Sequence, residues 1–124
     1  MDKTKVLIID DDSDIVETTG SLLDFEGFEV RSAETVEEGV ADIETFSPDI
    51  VLLDIMFPEK KTRGFEAAAE IKEKYPDLPI LAFTAINREY AFDFAQEDIQ
   101  AEEFINKPVE TEKLVELIKK YTSK

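Results

Sequence analysis

The sequence predicts a three-layer α/β fold in which a parallel five-stranded sheet lies between two layers of helices. Three short runs are apolar throughout, and each ends at a polar residue: residues 6–9 before Asp10, residues 50–53 before Asp54, and residues 80–83 before Thr84. Continuous apolar runs of this length are typical of strands that are buried on both faces. Each run is followed by a longer segment with helical spacing, and repeated βα units form a doubly wound sheet with right-handed crossovers.

Two weaker strands complete the predicted sheet, at residues 29–32 and 103–106. The first helix follows the first strand and is marked by residues on one face: Ile15, Thr19, Leu22 and Leu23. Gly27 then lies where a helix commonly ends in a left-handed residue. The second helix is marked by three apolar residues: Val36, Val40 and Ile43. It is predicted to end at Ser47 and Pro48, because the residue before a proline disfavours the helical conformation.

The last three helices are also marked by residues at helical spacing. The third carries Phe65, Ala68, Ala69, Ile71 and Tyr75 and is ended by Pro76, the fourth carries Tyr90, Ala91, Phe94 and Ala95, and the fifth carries Leu114, Val115, Ile118 and Tyr121. Lys119 and Lys120 fall in the last turn of the fifth helix, where the helix dipole favours cations. In a sheet of this kind, ligands are expected beyond the carboxyl ends of the strands.

The composition excludes several kinds of chemistry. The 124 residues carry 30 acidic and 14 basic side chains, and the formal charge of -16 disfavours direct binding to nucleic acid or to an anionic membrane. The chain has no cysteine and no histidine, which excludes disulfides, thiol catalysis, an imidazole base and an internal phosphohistidine. Because no apolar run reaches the length of a membrane span and no signal segment is present, we expect one cytoplasmic domain, residues 1–124, without an effector domain.

Polar residues follow the predicted strands at the point where each strand ends. Asp10 and Asp11 follow the first strand, Asp54 the third, Thr84 the fourth and Lys107 the fifth. Close carboxylates repel one another, and a hard divalent cation such as Mg²⁺ or Mn²⁺, which prefers oxygen ligands, would neutralise them. A carboxylate can attack phosphorus and form an acyl phosphate when its own charge and the phosphoryl oxygens are neutralised. These residues therefore predict phosphoryl transfer to an aspartate.

Each of these residues would have one role in such a transfer, as nucleophile, as metal ligand or as a partner of a phosphoryl oxygen. Asp54 would be the nucleophile, while Asp11 would hold Mg²⁺ directly and Asp10 would hold it directly or through water. Thr84 would donate its hydroxyl to one phosphoryl oxygen, and Lys107 would pair with another. A single acidic residue after a strand is usually a solvated or helix-initiating residue. The prediction therefore depends on the joint occurrence of these residues at ordered strand ends.

These motifs resemble the receiver domains of two-component response regulators, and the resemblance covers essentially the whole chain. The matching segments are residues 6–14, residues 49–56 with Pro58, residues 83–85 and residues 104–108. The resemblance implies a flavodoxin-like (βα)5 fold with strand order 2-1-3-4-5. It also implies phosphorylation of Asp54 by a histidine kinase or a histidine phosphotransfer protein, with Mg²⁺ at the acidic pair. Asp54 and the backbone carbonyl of Met56 would be further ligands of the metal.

The resemblance further implies how the domain would signal. The Thr84 hydroxyl would move toward the phosphoryl group, and Phe104 would turn into the space vacated under the fourth helix. A surface formed by the fourth helix, the fifth strand and the fifth helix would then change its protein contacts. Lys107 and Pro108 are similar to the cis-proline step of the family. The expected output is a protein contact, without turnover of a substrate.

Two features depart from the family pattern near the predicted site. Residues 59–63 lengthen the loop after Pro58 and include three basic side chains, which would either be solvated or steer an anionic phosphodonor. Met56 and Ile86 make the flanks of the site apolar. Since attack by water needs a polar group to orient it, we expect slow self-dephosphorylation.

Three alternative functions are open from the residues alone. A haloacid-dehalogenase-like phosphohydrolase would carry a second acid two residues after the nucleophile, where this chain has Met56. A flavodoxin-like nucleotide or flavin binder would carry a glycine-rich phosphate loop in place of the acidic first turn. A pseudo-receiver that binds partners without phosphorylation is disfavoured by the complete set of predicted site residues.

Overall fold

Five parallel strands form one sheet in the computed structural model of the chain, which describes residues 3–10, 12–54, 63–84, 102–106 and 110–122. The strands are β1 (Lys5–Ile9), β2 (Glu29–Ala33), β3 (Ile50–Asp54), β4 (Ile80–Thr84) and β5 (Glu103–Asn106). Their order across the sheet is β2-β1-β3-β4-β5, and every neighbouring pair is parallel. The predicted sheet and its strand order are therefore confirmed.

The apolar runs are buried on both faces of the sheet. In β1, Leu7 and Ile9 belong to one apolar cluster, whereas Val6 and Ile8 belong to a second cluster. Because successive side chains of a strand point to opposite faces, a central strand between two helical layers needs an unbroken apolar run. β2 lies at the edge of the sheet, and four of its five residues are exposed or half-buried, which explains its weaker sequence signal.

The described helices cover both faces of the sheet. They are α1 (Ser13–Phe25), α2 (Val36–Phe46), α3 (Arg63–Lys74) and α4 (Thr111–Thr122). α2 and α3 contribute to the first apolar cluster, while α1 and α4 contribute to the second. α4 is the helix predicted as the fifth, and the predicted fourth helix lies outside the described residues. Among the helices in these ranges, none is both long and apolar enough to cross a membrane.

The helix ends follow the local sequence. Asp12 caps the start of α1, and its side chain accepts hydrogen bonds from two backbone N–H groups of the first turn. Thr35 caps α2, and its hydroxyl accepts one hydrogen bond, from the N–H of Glu38. Ser47 ends α2 in the left-handed conformation, with φ 53 and ψ 60, directly before Pro48. Gly27 has φ 100, so the predicted left-handed residue after α1 is confirmed, because glycine adopts positive φ without steric cost.

Three details differ from the sequence-based expectation. Leu22 is 43% exposed, because it lies at the edge of the buried stripe of α1 that runs through Leu23. In α3 the side chain of Ala69 is exposed, and Ala67 is buried with Ala68 instead. α3 begins at Arg63, so the last residue of the lengthened loop belongs to the helix.

Candidate functional site

Two carboxylates are buried at the carboxyl ends of neighbouring strands. Asp10 is 3% exposed and Asp54 is 5% exposed, and they are the buried polar or charged residues among those the structure describes. Ile9 of β1 pairs with Leu53 of β3, so both aspartates directly follow a paired position. Backbones of adjacent strands lie about 4.8 Å apart. The fold therefore brings Asp10 and Asp54 together, as the sequence predicted.

The turn between β1 and α1 holds Asp10 in place. Its backbone N–H donates to the carbonyl of Ala33 at 3.1 Å, which extends the pairing of β1 with β2 by one residue. Its Oδ1 accepts the N–H of Asp12 at 2.9 Å. The carboxylate of Asp12 in turn accepts the N–H groups of Asp14 and Ile15 at 3.0 and 3.3 Å. The side chain of Asp10 thus binds the backbone at Asp12, and the side chain of Asp12 binds the first turn of α1.

Asp12 was not among the residues predicted from the sequence. Its signal was its position directly before a helical segment, where aspartate is favoured because it accepts free backbone N–H groups. The finding separates the roles of neighbouring acids. Asp12 serves the helix end, whereas Asp10 is buried at the edge of the sheet.

α2 packs unusually close to the end of β1. A Cβ atom placed on Gly39 would lie 2.4 Å from Cδ1 of Ile9, far inside van der Waals contact. Ile9 directly precedes Asp10, so this close approach supports the strand end that carries the buried carboxylate. Only glycine leaves room for this approach without moving the side chain of Ile9.

The strand register extends the row of site residues across the sheet. Asp54 of β3 pairs with Phe83 of β4, so Thr84 is one position further along. Thr84 pairs with Asn106 of β5, and residue 107 follows directly in sequence. The backbones of Thr84 and Phe104 lie in β4 and β5 as predicted. Four other predicted site residues lie outside the described residues: Asp11, Met56, Lys107 and Pro108.

The chemistry of the two buried carboxylates fits part of a site for a hard divalent cation. Carboxylate oxygens are the ligands that Mg²⁺ prefers, and the ion usually keeps several waters and takes only one or two carboxylates. In the described ranges no three acidic side chains form a cluster, and Asp11, the third predicted carboxylate, lies outside them. Burial of ionised carboxylates is costly unless hydrogen bonds or cations compensate. Asp10 and Asp54 supply two buried carboxylates of the kind that such a cation binds.

Comparison with known proteins agrees with this architecture. The family model described as the response regulator receiver domain matches residues 6–119. A response regulator receiver domain protein (CheY-like) from Methanospirillum hungatei superposes with a TM-score of 0.84 at 31% identity, covering 98% of this chain and 94% of that one. The response regulator TrrA from Thermotoga maritima, in complex with Mg²⁺ and beryllium fluoride, superposes with a TM-score of 0.80 at 32% identity, covering 95% and 98%.

A curated relative shows the same similarity in sequence. The response regulator SaeR of Staphylococcus aureus is 30% identical over 112 residues, which is 90% of this chain and 47% of SaeR. The chain thus spans about half the length of the curated relatives it matches. Its sequence, strand order and superposition agree on one family. The chain belongs to the response regulator receiver domains of two-component signalling.

Proposed function

We propose that this chain accepts a phosphoryl group from a phosphohistidine donor onto Asp54 in a Mg²⁺-dependent reaction, and that the modification changes its protein contacts. The observation that carries the proposal is the burial of Asp54 beside Asp10 at the carboxyl end of a central strand. In doubly wound sheets this edge is where ligands bind.

The transfer is a simple displacement at phosphorus. A carboxylate oxygen of Asp54 attacks the phosphorus, the bond from phosphorus to the donor imidazole nitrogen breaks, and that nitrogen keeps the electron pair. The products are an acyl phosphate and a histidine that is free to take up a proton. Because little covalent chemistry is required of the protein, its contribution is positioning and the neutralisation of charge.

The metal would be held by the acidic edge of the site. Asp10 and Asp54, with Asp11 and the carbonyl of Met56, would hold Mg²⁺, which when bound supplies positive charge against the phosphoryl oxygens. The buried position of Asp10 and its bond from the Asp12 N–H support this role. The TrrA structure with Mg²⁺ and beryllium fluoride gives further support from a relative.

Thr84 and Lys107 would complete the site on its other side. The hydroxyl of Thr84 would donate a hydrogen bond to one phosphoryl oxygen, and the ammonium of Lys107 would pair with another. The strand register supports this arrangement, since the end of β4 lies beside Asp54 and the end of β5 lies one strand further along the same edge. Lys107 and Pro108 would form the cis-proline step of the family.

The modification would act as a switch in the contacts of the protein. A phosphoryl group adds roughly one and a half to two negative charges and three acceptor oxygens. Thr84 and Phe104 would respond by changing the surface of the fourth predicted helix, β5 and α4. A related receiver domain, DrrB, is described as activated by BeF3. The donor would be a histidine kinase or a phosphotransfer protein, and the output a protein partner, so the chain is an acceptor without turnover.

The test is phosphorylation by a small donor. The protein is incubated with acetyl phosphate and Mg²⁺, and its intact mass is measured. The expected result is the mass of one added phosphoryl group that is lost with hydroxylamine, as an acyl phosphate requires. Asp54→Asn should show no addition, and chelation of Mg²⁺ should prevent it in the unaltered chain. Asp24→Asn, a matched change at an exposed position of α1, should behave like the unaltered chain.

Two outcomes would contradict the proposal. Equal phosphorylation of Asp54→Asn would assign the acceptor to another residue. No addition in any variant, with both a small donor and a phosphorylated histidine kinase, would favour the pseudo-receiver, which binds its partners without phosphorylation.

A further inference from the structure

A groove of about 660 Å³ crosses the amino edge of the sheet, which is the edge opposite Asp10 and Asp54. It lies below the starts of β3 and β4 and reaches from the layer of α2 and α3 to the layer of α4. Its walls contain prolines and two tyrosines: Pro48, Pro76, Pro79, Tyr75 and Tyr121. A volume of this size is within the range of sites that bind ligands, roughly 300–1,000 Å³.

The walls of the groove are held in place by the fold. Tyr75 and Leu78 pack against the first apolar cluster, and the N–H of Leu78 donates to the carbonyl of Tyr75 at 3.1 Å. On the other side, the hydroxyl of Tyr121 donates to the carboxylate of Glu103 at 2.8 Å and lies 3.3 Å from the carbonyl of Glu102. A ligand would therefore meet a surface that is largely formed in advance, which lowers the entropic cost of binding.

The groove carries a negative charge balance. Three exposed carboxylates line it, from Glu44, Asp49 and Asp77, against one exposed lysine, Lys74. The last residues of α2, α3 and α4 also reach the groove or adjoin it. Lysines meet the negative ends of these helices, since the ammonium of Lys5 donates to the carbonyl of Phe46, and the last turns of α3 and α4 contain Lys72, Lys74, Lys119 and Lys120. The negative balance of the groove therefore comes from its own lining, where the carboxylates of Glu44, Asp49 and Asp77 favour a cation.

We propose that this groove binds an extended basic segment of a partner protein. Arginine or lysine side chains would meet the acidic rim, and prolines or aliphatic residues between them would lie against the proline and tyrosine walls. A second copy of this chain is disfavoured as the occupant because each copy has a formal charge of -16. The phosphate groups of a nucleic acid or an anionic membrane are disfavoured for the same reason.

The proposed docking site is separate from the phosphoacceptor site. The strands have four or five residues, and at about 3.3 Å per residue the two edges of the sheet lie roughly 17 Å apart. A partner in the groove would leave Asp54 accessible to its donor. The groove therefore goes beyond the proposed function, as a contact that does not require phosphorylation.

The test uses a peptide of repeated arginine, proline and leucine as the probe. Its binding to the full chain is followed by backbone amide NMR and by calorimetry at low ionic strength. The largest shifts are expected at the groove, in Ser47, Asp49 and Tyr75 and at the end of α4, and not at Asp10 or Asp54. A peptide with glutamate in place of arginine should not bind. Added salt should weaken the binding, because the rim is exposed.

Charge reversal separates this groove from general attraction to an acidic protein. The double variant Glu44→Lys, Asp77→Lys should bind the probe roughly tenfold more weakly. The double variant Glu17→Lys, Glu70→Lys has the same net charge, changes exposed residues outside the groove, and should bind as the unaltered chain does. Both doubles should accept phosphate at Asp54, so failure of the docking site can be told from failure of the phosphoacceptor site.

Three outcomes would overturn the inference. One is equal affinity in the two doubles, and another is no binding of the arginine peptide. The third is a set of groove shifts that grows with protein concentration in the absence of peptide, which would identify a second copy as the occupant.

Discussion

The carboxyl edge of the sheet brings two like charges together, whereas the amino edge pairs opposite charges. At the carboxyl edge, Asp10 and Asp54 are buried side by side on neighbouring strands. At the amino edge, Lys72 of α3 donates to the carbonyl of Leu78 at 2.7 Å and forms an ion pair with Glu102. The second oxygen of Glu102 accepts the N–H of Ile80 at 3.1 Å.

The two edges differ in the charges that they bring together. The Lys72–Glu102 pair joins α3, the start of β4 and the start of β5, and each charge meets an opposite charge or a backbone group. Such a pair can stabilise without any added ion. Two like charges buried together are a cost that a bound cation would relieve. We therefore expect metal to affect the carboxyl edge and mutation of the pair to affect the amino edge.

The largest expected effect is stabilisation by Mg²⁺, which sharpens this contrast. At a concentration one hundred times its dissociation constant, an ion that binds only the folded state adds about 2.7 kcal/mol to the free energy of unfolding. Asp10→Asn should lose most of that gain, because it removes one negative charge from the site while its amide oxygen can still accept the Asp12 N–H. Without metal the same variant should equal the unaltered chain or exceed it by about 0.5–2 kcal/mol.

The measurement is urea unfolding with Mg²⁺ or with a chelator, at equal ionic strength. Glu102→Gln is the control at the amino edge and should keep the full gain from Mg²⁺. If Glu102→Gln lost the gain as well, the two edges would not be independent. If Asp10→Asn kept it, the proposed role of Asp10 would be wrong.

Much of the sheet could be predicted because its central strands have a simple physical requirement. β1, β3 and β4 have neighbours on both sides and helices on both faces, so their sequences are apolar without interruption. The edge strand β2 has no such requirement, so its first and last residues were harder to predict from the sequence. Leu22 shares the predicted face of α1 but is 43% exposed, because spacing alone does not tell the centre of a buried stripe from its edge.

The positions of the predicted site residues could be foreseen only where a residue's place in the sequence fixes its place in the fold. Asp10, Asp54 and Thr84 each end a strand, and parallel strands end at one edge. The Lys72–Glu102 pair has no comparable signal. Its members are 30 positions apart, and they meet only because the end of α3 packs beside the start of β5. Asp12 had a local signal, but a strand-end aspartate and a helix cap look alike in sequence.

A smaller effect is expected at the amino edge itself. Glu102→Ala would leave the ammonium of Lys72 and the N–H of Ile80 without this acceptor in a half-buried place, at a cost of about 1–3 kcal/mol in the free energy of unfolding. The measurement is urea unfolding in the absence of metal. Phosphorylation by acetyl phosphate should be unchanged in the folded variant.

The partner variant tests whether the pair acts through its charges. Lys72→Met keeps the length of the side chain and removes the charge, and it leaves Glu102 bound to the N–H of Ile80. It should therefore cost less than Glu102→Ala. A loss of phosphorylation in either folded variant would show that the amino edge and the carboxyl edge of the sheet are not independent.

The smallest expected effect is an alkaline loss of stability through Tyr121, which also belongs to the amino edge. Burial, then the hydrogen bond to Glu103 and the negative charge of Glu103, raise the pKa of Tyr121 above its usual value of 10.0, and Lys120 opposes this. The folded state thus holds the phenolic proton more tightly than the unfolded state. Its contribution to stability is complete below about pH 10 and falls as the pH rises through the raised pKa.

Tyr121→Phe removes this proton and tests the assignment. The variant should be less stable than the unaltered chain at neutral pH, because it lacks the bond to Glu103, and the difference should shrink above pH 10. Glu103→Gln should lower the pKa of Tyr121 in the folded state and make the total alkaline loss smaller, since it removes the charge that holds the proton. Urea unfolding across this range, together with tyrosinate absorbance, gives both quantities. A constant difference between the unaltered chain and Tyr121→Phe at all pH values would mean that the hydroxyl contributes through packing rather than through its proton.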